Sequence, residues 1–295
     1  IKDSDVVVSL LPATFHPMVA KMCIEEKVNM VTASYVSDDI RALKGAAMDA
    51  GITILNEVGL DPGMDHMSAM KIMDDIKARG GTVKHFSSVC GGLPAPEAAN
   101  NPLMYKFSWS PLGVLTASQN SATFLRNGNV IEVPGEELLA SAEKMTCFPT
   151  MNLECLPNRD SLIYRELYGI EDAKTVFRGT LRFAGFSSLM YGVKKLGLLE
   201  DVQAEAGTWS GVVDGLLRRE GCSSIDEFMS KKNVTGGERV GELLGWLGML
   251  DGTLPVSNTD SVLRAFCDLL QDRLEFAEGE RDMCLMNHDI GGELK

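Results

Sequence analysis

Short apolar runs alternate with helix-like patterns over the first eighty residues. Runs rich in β-branched and aliphatic residues predict strands over 5–12, 29–34 and 52–58. Apolar positions at helical spacing predict helices over 16–28 and 38–50. Ser37 is the predicted N-cap of the second helix, and Gly51 is its predicted end.

A third helix is predicted to begin at Asp61-Pro62-Gly63 and to run to about residue 79. Asp61 is its predicted N-cap, because aspartate is a favoured residue at that position. Methionines recur in this helix at every third position from Met64 to Met73, which predicts that they fill the core.

This alternation predicts a parallel sheet with helices on its faces, because parallel strands need crossover connections. Such sheets bind ligands beyond the carboxyl ends of their strands. The peptides at those ends are 12–14, 34–36 and 59–63. We therefore expect ligand-binding residues among them.

The pattern changes after residue 81. A strand is predicted over 82–90, with its end at Gly91-Gly92, and strand and loop signals then continue to about residue 186. The chain is mostly helical from about 190 to 276, where Thr259 is the predicted cap of an amphipathic helix. A last strand is predicted over 281–288. These changes predict domain segments at 1–80, 81–190, 191–276 and 277–295.

The composition narrows the range of partners. A net charge of −13 argues against nucleic acid and anionic membrane surfaces, since both need clustered Lys and Arg. An anionic small molecule would have to meet locally placed arginines. No run approaches the roughly 18 apolar residues of a membrane span. The seven cysteines are scattered without a C-x-x-C pair, which predicts a reducing compartment and no zinc site.

Two polar residues at predicted strand ends are candidates for proton chemistry. Asp61 lies at a predicted helix start, where free N–H groups and the helix dipole favour an anionic ligand. Structure alone explains an Asp-Pro helix start equally well. Tyr35 follows the second strand, and the alternative is a packing tyrosine with its hydroxyl in water.

Two arginine-bearing peptides, 157–161 and 178–182, are candidates for anion binding. A guanidinium group offers a planar pair of donors that matches a carboxylate. The alternative is surface ion pairing, for example between Arg159 and Asp160.

Several long peptides, taken together, resemble the glutamate-forming saccharopine dehydrogenases. This family includes fungal saccharopine reductase and the dehydrogenase half of the bifunctional aminoadipic semialdehyde synthases of plants and animals. The resemblance is specific, because the peptides follow the family's order from the first residues to about 288. The peptides that carry it are 9–16, 32–35, 56–66, 90–97, 101–110, 157–161, 178–182 and 280–283.

The resemblance implies a partial Rossmann-type parallel sheet, followed by a mixed α+β substrate and dimerisation domain with a small helical subdomain. Residues 1–80 would be the second half of a dinucleotide-binding domain that uses NAD or NADP. The implied reaction converts saccharopine and water reversibly to glutamate and 2-aminoadipate 6-semialdehyde. The resemblance further implies a homodimer in the cytoplasm or mitochondria, fused in some members to a lysine-ketoglutarate reductase domain.

The resemblance also implies the site residues. The residues at saccharopine-binding positions are Ser34, Tyr35, Arg159, Thr180, Leu181 and Arg182. The residues that border the nicotinamide are Ala13, Thr32, Ala33 and Asp61. Tyr35 and Asp61 are the catalytic candidates, because the reaction needs a proton acceptor near the reacting carbon.

The sequence departs from the family's pattern, because the pyrophosphate loop, the acidic residue that reads the ribose and the C-terminal return into the Rossmann sheet are absent. It contains no G-x-G-x-x-G after a strand, and the missing initiator Met suggests that the natural chain starts upstream. We therefore expect a fragment that binds the dinucleotide poorly by itself. Two alternatives stay open: a related amine-adduct dehydrogenase, such as carboxynorspermidine dehydrogenase or homospermidine synthase, and an inactive dimerisation module.

Overall fold

A computed structural model describes residues 1–294 of the chain. These residues form two compact units. The first unit comprises Ile1–Val83 and the chain end from Gly292, and the second comprises Lys84–Gly291. The segment boundaries at 80, 190 and 276 stay predictions.

The first unit is built on a parallel sheet in the order β1-β2-β3. Its strands are β1 (Val6–Ser9), β2 (Asn29–Thr32) and β3 (Ile54–Leu55). Its helices are α1 (His16–Glu26), α2 (Asp38–Ala42), α3 (Lys44–Ala50) and α4 (Met64–Ala78). Met30 is fully buried at the centre of a small apolar cluster between the sheet and α1. The predicted alternation of strands and helices is confirmed.

The helix predicted over 38–50 is broken at Leu43. Both predicted ends are correct: the Ser37 hydroxyl accepts a hydrogen bond from the Ile40 amide at 3.2 Å, and Gly51 has the left-handed φ of 74°. The continuous helix is wrong, because Leu43 adopts a ψ of −2° between α2 and α3. Gly45, a weak helix former, follows the break.

The third strand is much shorter than the predicted 52–58. Glu57 has a φ of 61°, a left-handed backbone that cannot continue a strand. Its carboxylate accepts a hydrogen bond from the Val36 amide at 3.2 Å. The strand therefore stops at Leu55, and residues 56–63 form a loop at the end of the sheet.

Helix α4 begins at Met64, so the predicted N-cap role of Asp61 is wrong. The N-cap position belongs to Gly63, whose amide donates to the carboxylate of buried Asp65 at 2.7 Å. The methionine prediction is also wrong in part. Met64 and Met67 are 54% and 62% exposed, whereas Met73 is fully buried.

The second unit contains a mixed sheet in the order β10-β4-β9-β5-β6, with β8 also pairing with β9, and β7 with β8. Its strands are β4 (Thr82–Pro94), β5 (Ala122–Arg126), β6 (Asn129–Val133), β7 (Glu143–Met145), β8 (Leu153–Pro157), β9 (Thr175–Phe183) and β10 (Asp282–Glu293). β4 does not end at Gly91-Gly92 as predicted. A Cβ atom on Gly91 would lie 2.7 Å from the Cβ of Leu181, so glycine allows close packing there.

The helices of the second unit share a large apolar core with residues from the part of the chain that precedes Phe186. They are α5 (Pro111–Ala117), α6 (Ile163–Leu167), α7 (Phe186–Leu196), α8 (Trp209–Arg219), α9 (Ile225–Lys231), α10 (Glu238–Trp246) and α11 (Val262–Arg273). Leu103, Tyr105 and Leu156 belong to the same cluster as α7 and α11. The predicted cap of α11 is wrong by two residues: Ser261, not Thr259, accepts from the Arg264 amide at 3.1 Å.

The cysteines of this unit differ sharply in expected reactivity. Burial, together with nearby Cys147 and Glu143, raises the pKa of Cys155 to about 12. Cys284 is exposed. Because the thiolate is the nucleophile, only about one Cys155 side chain in 10⁴ is reactive at pH 8. We expect iodoacetamide at that pH to label Cys284 and to spare Cys155 in the native protein, as read by peptide mass spectrometry.

Denatured protein is the control, because both thiols should then react at similar rates. Native labelling of Cys155 as fast as Cys284 would contradict the buried position.

Within residues 1–294, no helix has the length and apolar character needed to cross a membrane. The same residues contain no cluster of three or more His, Cys, Asp or Glu side chains able to hold a metal ion.

Candidate active site

A buried histidine organises the carboxyl ends of β1 and β2. The Nδ1 atom of His16 lies 2.9 Å from the hydroxyl of Ser9, the last residue of β1. Its Nε2 atom lies 2.8 Å from the Ser34 hydroxyl and 3.3 Å from the Thr32 hydroxyl. Two residues implied by the resemblance, Thr32 and Ser34, therefore meet at one imidazole ring.

The histidine is held in its neutral form. His16 is 2% exposed, and burial lowers its pKa below the usual value of 6.5. The unfolded chain therefore binds a proton at a higher pH than the folded chain does. The folded state keeps its full stability above pH 6.5 and loses part of it as the pH falls from 6.5 toward the lower folded pKa.

We expect the melting temperature to be constant between about pH 7 and 8 and to decline below about pH 6.5, the ordinary pKa of histidine. His16→Gln should weaken that decline, because glutamine does not titrate. An identical pH dependence in the variant would contradict this assignment.

The two catalytic candidates lie side by side in the first unit. The Tyr35 hydroxyl donates to Oδ1 of Asp61 at 3.0 Å. Tyr35 is 44% exposed and follows β2, whereas Asp61 lies in the loop after β3. The structure brings together two residues that are 26 positions apart. The alternative, a tyrosine whose hydroxyl meets only water, is wrong.

A second group of titratable residues lies at the start of α4. His66 Nε2 is 3.5 Å from a carboxylate oxygen of Glu57, and His66 Nδ1 is 3.8 Å from one of Asp65. Asp65 is 2% exposed and holds the Gly63 amide. These contacts fix the loop that carries Asp61.

Small residues follow the ends of β1 and β2. Ala13 is exposed in the 3-10 turn Ala13–Phe15 that follows β1, and Ala33 is half-buried after β2. Gly59 packs on Ala33, because a Cβ atom on Gly59 would lie 3.0 Å from the Ala33 Cβ. A flat ring such as nicotinamide fits against such short side chains. The described residues therefore suit the predicted nicotinamide edge.

Gly63 lies at the N-cap position of α4, in a tightly packed turn. A Cβ atom there would lie 2.3 Å from the carbonyl oxygen of Gly59, and its φ is 146°. The loop's own packing therefore requires glycine at position 63.

The second unit carries a buried arginine that forms no ion pair among the described residues, although Glu154 lies opposite it on β8. Arg182 of β9 is 7% exposed, and its guanidinium carbon lies 4.9 Å from the Tyr105 ring centroid and 5.3 Å from that of Phe186. Its Nη1 donates to the Leu181 carbonyl at 2.9 Å, and its buried Nε has no partner within residues 1–294. A buried unpaired charge is costly, so an anionic ligand is the expected counter-ion.

The neighbouring predicted residues differ in what they can offer. Thr180 is half-buried, while the side chain of Leu181 is fully buried in an apolar cluster with Cys155. Side chains alternate across a strand, so Thr180 and Arg182 share one face of β9 and Leu181 lies on the other. The Leu181 side chain therefore belongs to the core.

Arg159 lies on the turn after β8 with a left-handed φ of 46°. Its side chain is exposed and, among the described residues, has no hydrogen bond or ion pair. The predicted alternative of an ion pair with Asp160 is therefore wrong; the Asp160 carboxylate instead accepts from the Leu162 amide at 2.8 Å.

The two candidate arginines occupy separate places along the ladder of β8 and β9. The Asn158 amide donates to the Arg178 carbonyl at 2.9 Å, which sets the Arg159 turn beside Arg178. Arg182 lies four residues further along β9, roughly 13 Å at the rise of an extended strand. Arg178 itself is buried against Tyr164, whose hydroxyl it contacts.

Sequence reasoning missed several of these residues. His16, Glu57, Asp65 and His66 lie in peptides that carried the resemblance, but no spacing signature distinguishes them as site residues. Tyr105 lies in a peptide that carried the resemblance, yet only packing shows that its ring covers Arg182.

The parallel sheet and its polar strand ends, with a separate mixed domain that carries the arginines, place the chain among α/β nucleotide-binding proteins with an added domain. The family descriptions agree: "Saccharopine dehydrogenase NADP binding domain" matches residues 1–55, and "Saccharopine dehydrogenase C-terminal domain" matches residues 59–295. The chain belongs to the saccharopine dehydrogenase family.

Named relatives support this membership. The chain is 44% identical over 303 residues to alpha-aminoadipic semialdehyde synthase, mitochondrial, of Mus musculus, covering 99% of the chain and 32% of the relative. It is 39% identical over 303 residues to saccharopine dehydrogenase [NADP(+), L-glutamate-forming] of Saccharomyces cerevisiae, covering 99% of the chain and 68% of the relative. The chain thus spans about a third of the length of its mammalian and plant relatives.

A solved structure confirms the predicted fold class. The apo histidine-tagged saccharopine dehydrogenase (L-Glu forming) from Saccharomyces cerevisiae superposes with a TM-score of 0.87 at 38% identity. The match covers 99% of this chain and 68% of that one. The names of these relatives do not favour the alternative of a carboxynorspermidine dehydrogenase or homospermidine synthase.

Proposed function

We propose that the full-length protein containing this chain oxidises saccharopine with NADP and water, giving glutamate, 2-aminoadipate 6-semialdehyde, NADPH and a proton. The observation that carries the proposal is Arg182, a buried cation that forms no ion pair among the described residues. Saccharopine is a tricarboxylate, and a guanidinium group binds a carboxylate through two parallel hydrogen bonds.

Arg159 and Arg182 would hold different carboxylates of one substrate. Their separation along the ladder, roughly 13 Å of backbone, is too large for a single carboxylate and suits two ends of an extended molecule. Thr180, on the same face as Arg182, would add a hydroxyl donor. Leu181 would contribute through its backbone, since its side chain is buried in the core.

Tyr35 and Asp61 would handle the protons. Loss of hydride from the carbon beside the secondary amine requires that nitrogen to be unprotonated, and hydrolysis of the substrate imine moves further protons. The hydrogen-bonded pair offers one donor and one acceptor 3.0 Å apart for these transfers. When bound, NADP supplies the hydride acceptor.

Ala13, Thr32, Ala33 and Asp61 would border the nicotinamide ring. The alanines leave space for the ring, and the Thr32 hydroxyl is already engaged by His16 and by the Ser34 amide at 3.3 Å. The names of the fungal relatives favour NADP over NAD.

The assembly and location follow the relatives. Homodimerisation through the second unit and residence in the mitochondrion or cytoplasm are part of the proposal, as is fusion to a reductase domain like that of the bifunctional synthases. The mammalian relatives are named mitochondrial.

The test is a direct assay of the full-length protein. Saccharopine should produce NADPH, followed by its near-ultraviolet absorbance, whereas carboxynorspermidine at the same concentration should produce none. Activity with carboxynorspermidine alone would favour the related amine-adduct dehydrogenase. Absence of activity with both substrates would leave the dimerisation module as the better account.

A further inference from the structure

The contacts of His16 define a role that no sequence motif suggested. Its ring is 2% exposed and touches three hydroxyl groups, those of Ser9, Thr32 and Ser34. Such a ring cannot reach a ligand directly, so any effect on the reaction must pass through the hydroxyls.

The balance of donors and acceptors favours one tautomer. The neutral ring has one N–H group and one nitrogen lone pair. Nε2 faces two oxygen atoms, at 2.8 Å and 3.3 Å, whereas Nδ1 faces one at 2.9 Å. A lone pair accepts one O–H group, but an N–H group is readily shared between two oxygens. The Nε2–H tautomer therefore satisfies the site best, with the Ser9 hydroxyl donating to Nδ1.

This tautomer decides what Ser34 can offer. If Nε2–H donates to the Ser34 oxygen, the hydroxyl proton of Ser34 stays available for a ligand. If Nε2 were the acceptor, that proton would point into the protein. A substrate carboxylate needs a donor, so the first arrangement is the one that binds it.

We propose that His16 is a positioning residue, which as the Nε2–H tautomer turns the Ser34 hydroxyl so that it donates to a carboxylate of the substrate. The inference rests on the proposed function, because it takes saccharopine as the substrate whose carboxylate Ser34 meets. It adds a residue and a protonation state that the resemblance did not supply.

Two substitutions separate this role from simple packing. The side-chain amide of glutamine reaches about as far from the backbone as Nε2, whereas that of asparagine reaches only as far as Nδ1. His16→Gln should keep a donor at Ser34, and His16→Asn should remove it. We expect the saccharopine KM of the full-length protein to rise about 10- to 100-fold in His16→Asn, the scale of a hydrogen bond to a charged group. In His16→Gln it should change less than about threefold, and kcat should move little in both.

A double-mutant cycle tests whether the effect passes through Ser34. In the Ser34→Ala background, His16→Asn should no longer raise the KM, because the hydroxyl that it positions is gone. His85→Asn is a matched control, since that histidine lies on β4 in the second unit with its side chain 39% exposed. Its saccharopine KM should equal that of the wild type.

Ser9→Ala keeps the inference testable if His16→Asn fails to fold. Loss of the Ser9 donor frees the ring to adopt the other tautomer, and a rise of about two- to fivefold in KM is expected. Equal KM values for wild type, His16→Asn and Ser9→Ala, or an undiminished effect in the Ser34→Ala background, would overturn the inference. Failure of the proposed function is a separate result, because the wild-type protein would then not oxidise saccharopine at all.

Discussion

Arg182→Ala in the full-length protein is expected to raise the KM for saccharopine about 30- to 1000-fold. Loss of an arginine–carboxylate pair from a largely desolvated site costs about 2–4 kcal/mol. The affinity for NADP should barely change. Steady-state kinetics with saccharopine, and fluorescence titration with NADPH, measure the two quantities separately. Arg159→Ala should act in the same direction and less strongly, because that side chain is exposed.

The stability of the variant provides a second and independent readout. If Arg182 served only the fold, its removal would lower the free energy of unfolding. Because its charge is buried and forms no ion pair among the described residues, Arg182→Met should leave the melting temperature nearly unchanged while the KM rises. Arg126→Ala is the matched control, since that arginine forms an exposed pair with Glu143 at 2.8 Å. An unchanged saccharopine KM in both Arg182 variants would contradict the proposed carboxylate-binding role of Arg182.

Asp61→Asn and Tyr35→Phe are expected to lower kcat about 100-fold or more. Each change removes a group that we propose takes part in proton transfer, and it keeps the shape of the side chain. Helix α4 begins at Met64 and is not capped by Asp61, so Asp61→Asn leaves the helix start intact. The measurement is kcat as a function of pH for wild type and both variants.

Two controls separate chemistry from folding. The melting temperatures of both variants should match that of the wild type. Lys71→Ala is an exposed substitution on α4 that should leave kcat unchanged. Wild-type kcat and an unaltered pH profile in both site variants would make Tyr35 and Asp61 structural, and the proton acceptor would have to be sought elsewhere.

Much of the first unit could be predicted from the sequence because its signals are local. Ser37 and Gly51 mark helix ends by their own chemistry, and both are confirmed. The short length of β3 could not be predicted, because Glu57 adopts a left-handed backbone conformation that ends the strand. The Val36 amide, which lies between β2 and α2, helps to hold Glu57 there by donating to its carboxylate. The intrinsic strand propensity of residues 52–58 gives no information about this contact with a residue 21 positions away.

The candidate site likewise contains residues that could be predicted from the sequence and residues that could not. The resemblance supplied Tyr35 and Asp61, and their separation of 26 positions becomes a distance of 3.0 Å only in the folded sheet. His16 could not be predicted as a site residue, because nothing in the spacing of Ser9, Thr32 and Ser34 points to a shared ring. The burial of Arg182 likewise depends on Tyr105, which comes from a distant part of the second unit, as well as on nearby Phe186.

The most direct test of the central claim is the identity of the products. Saccharopine, NADP and the full-length protein should be incubated with a reagent that traps aldehydes, and the amino acids then separated and weighed by mass spectrometry. We expect equal amounts of glutamate and trapped 2-aminoadipate 6-semialdehyde, with one NADPH formed for each. Lysine and 2-oxoglutarate as products, or no consumption of saccharopine, would contradict this expectation.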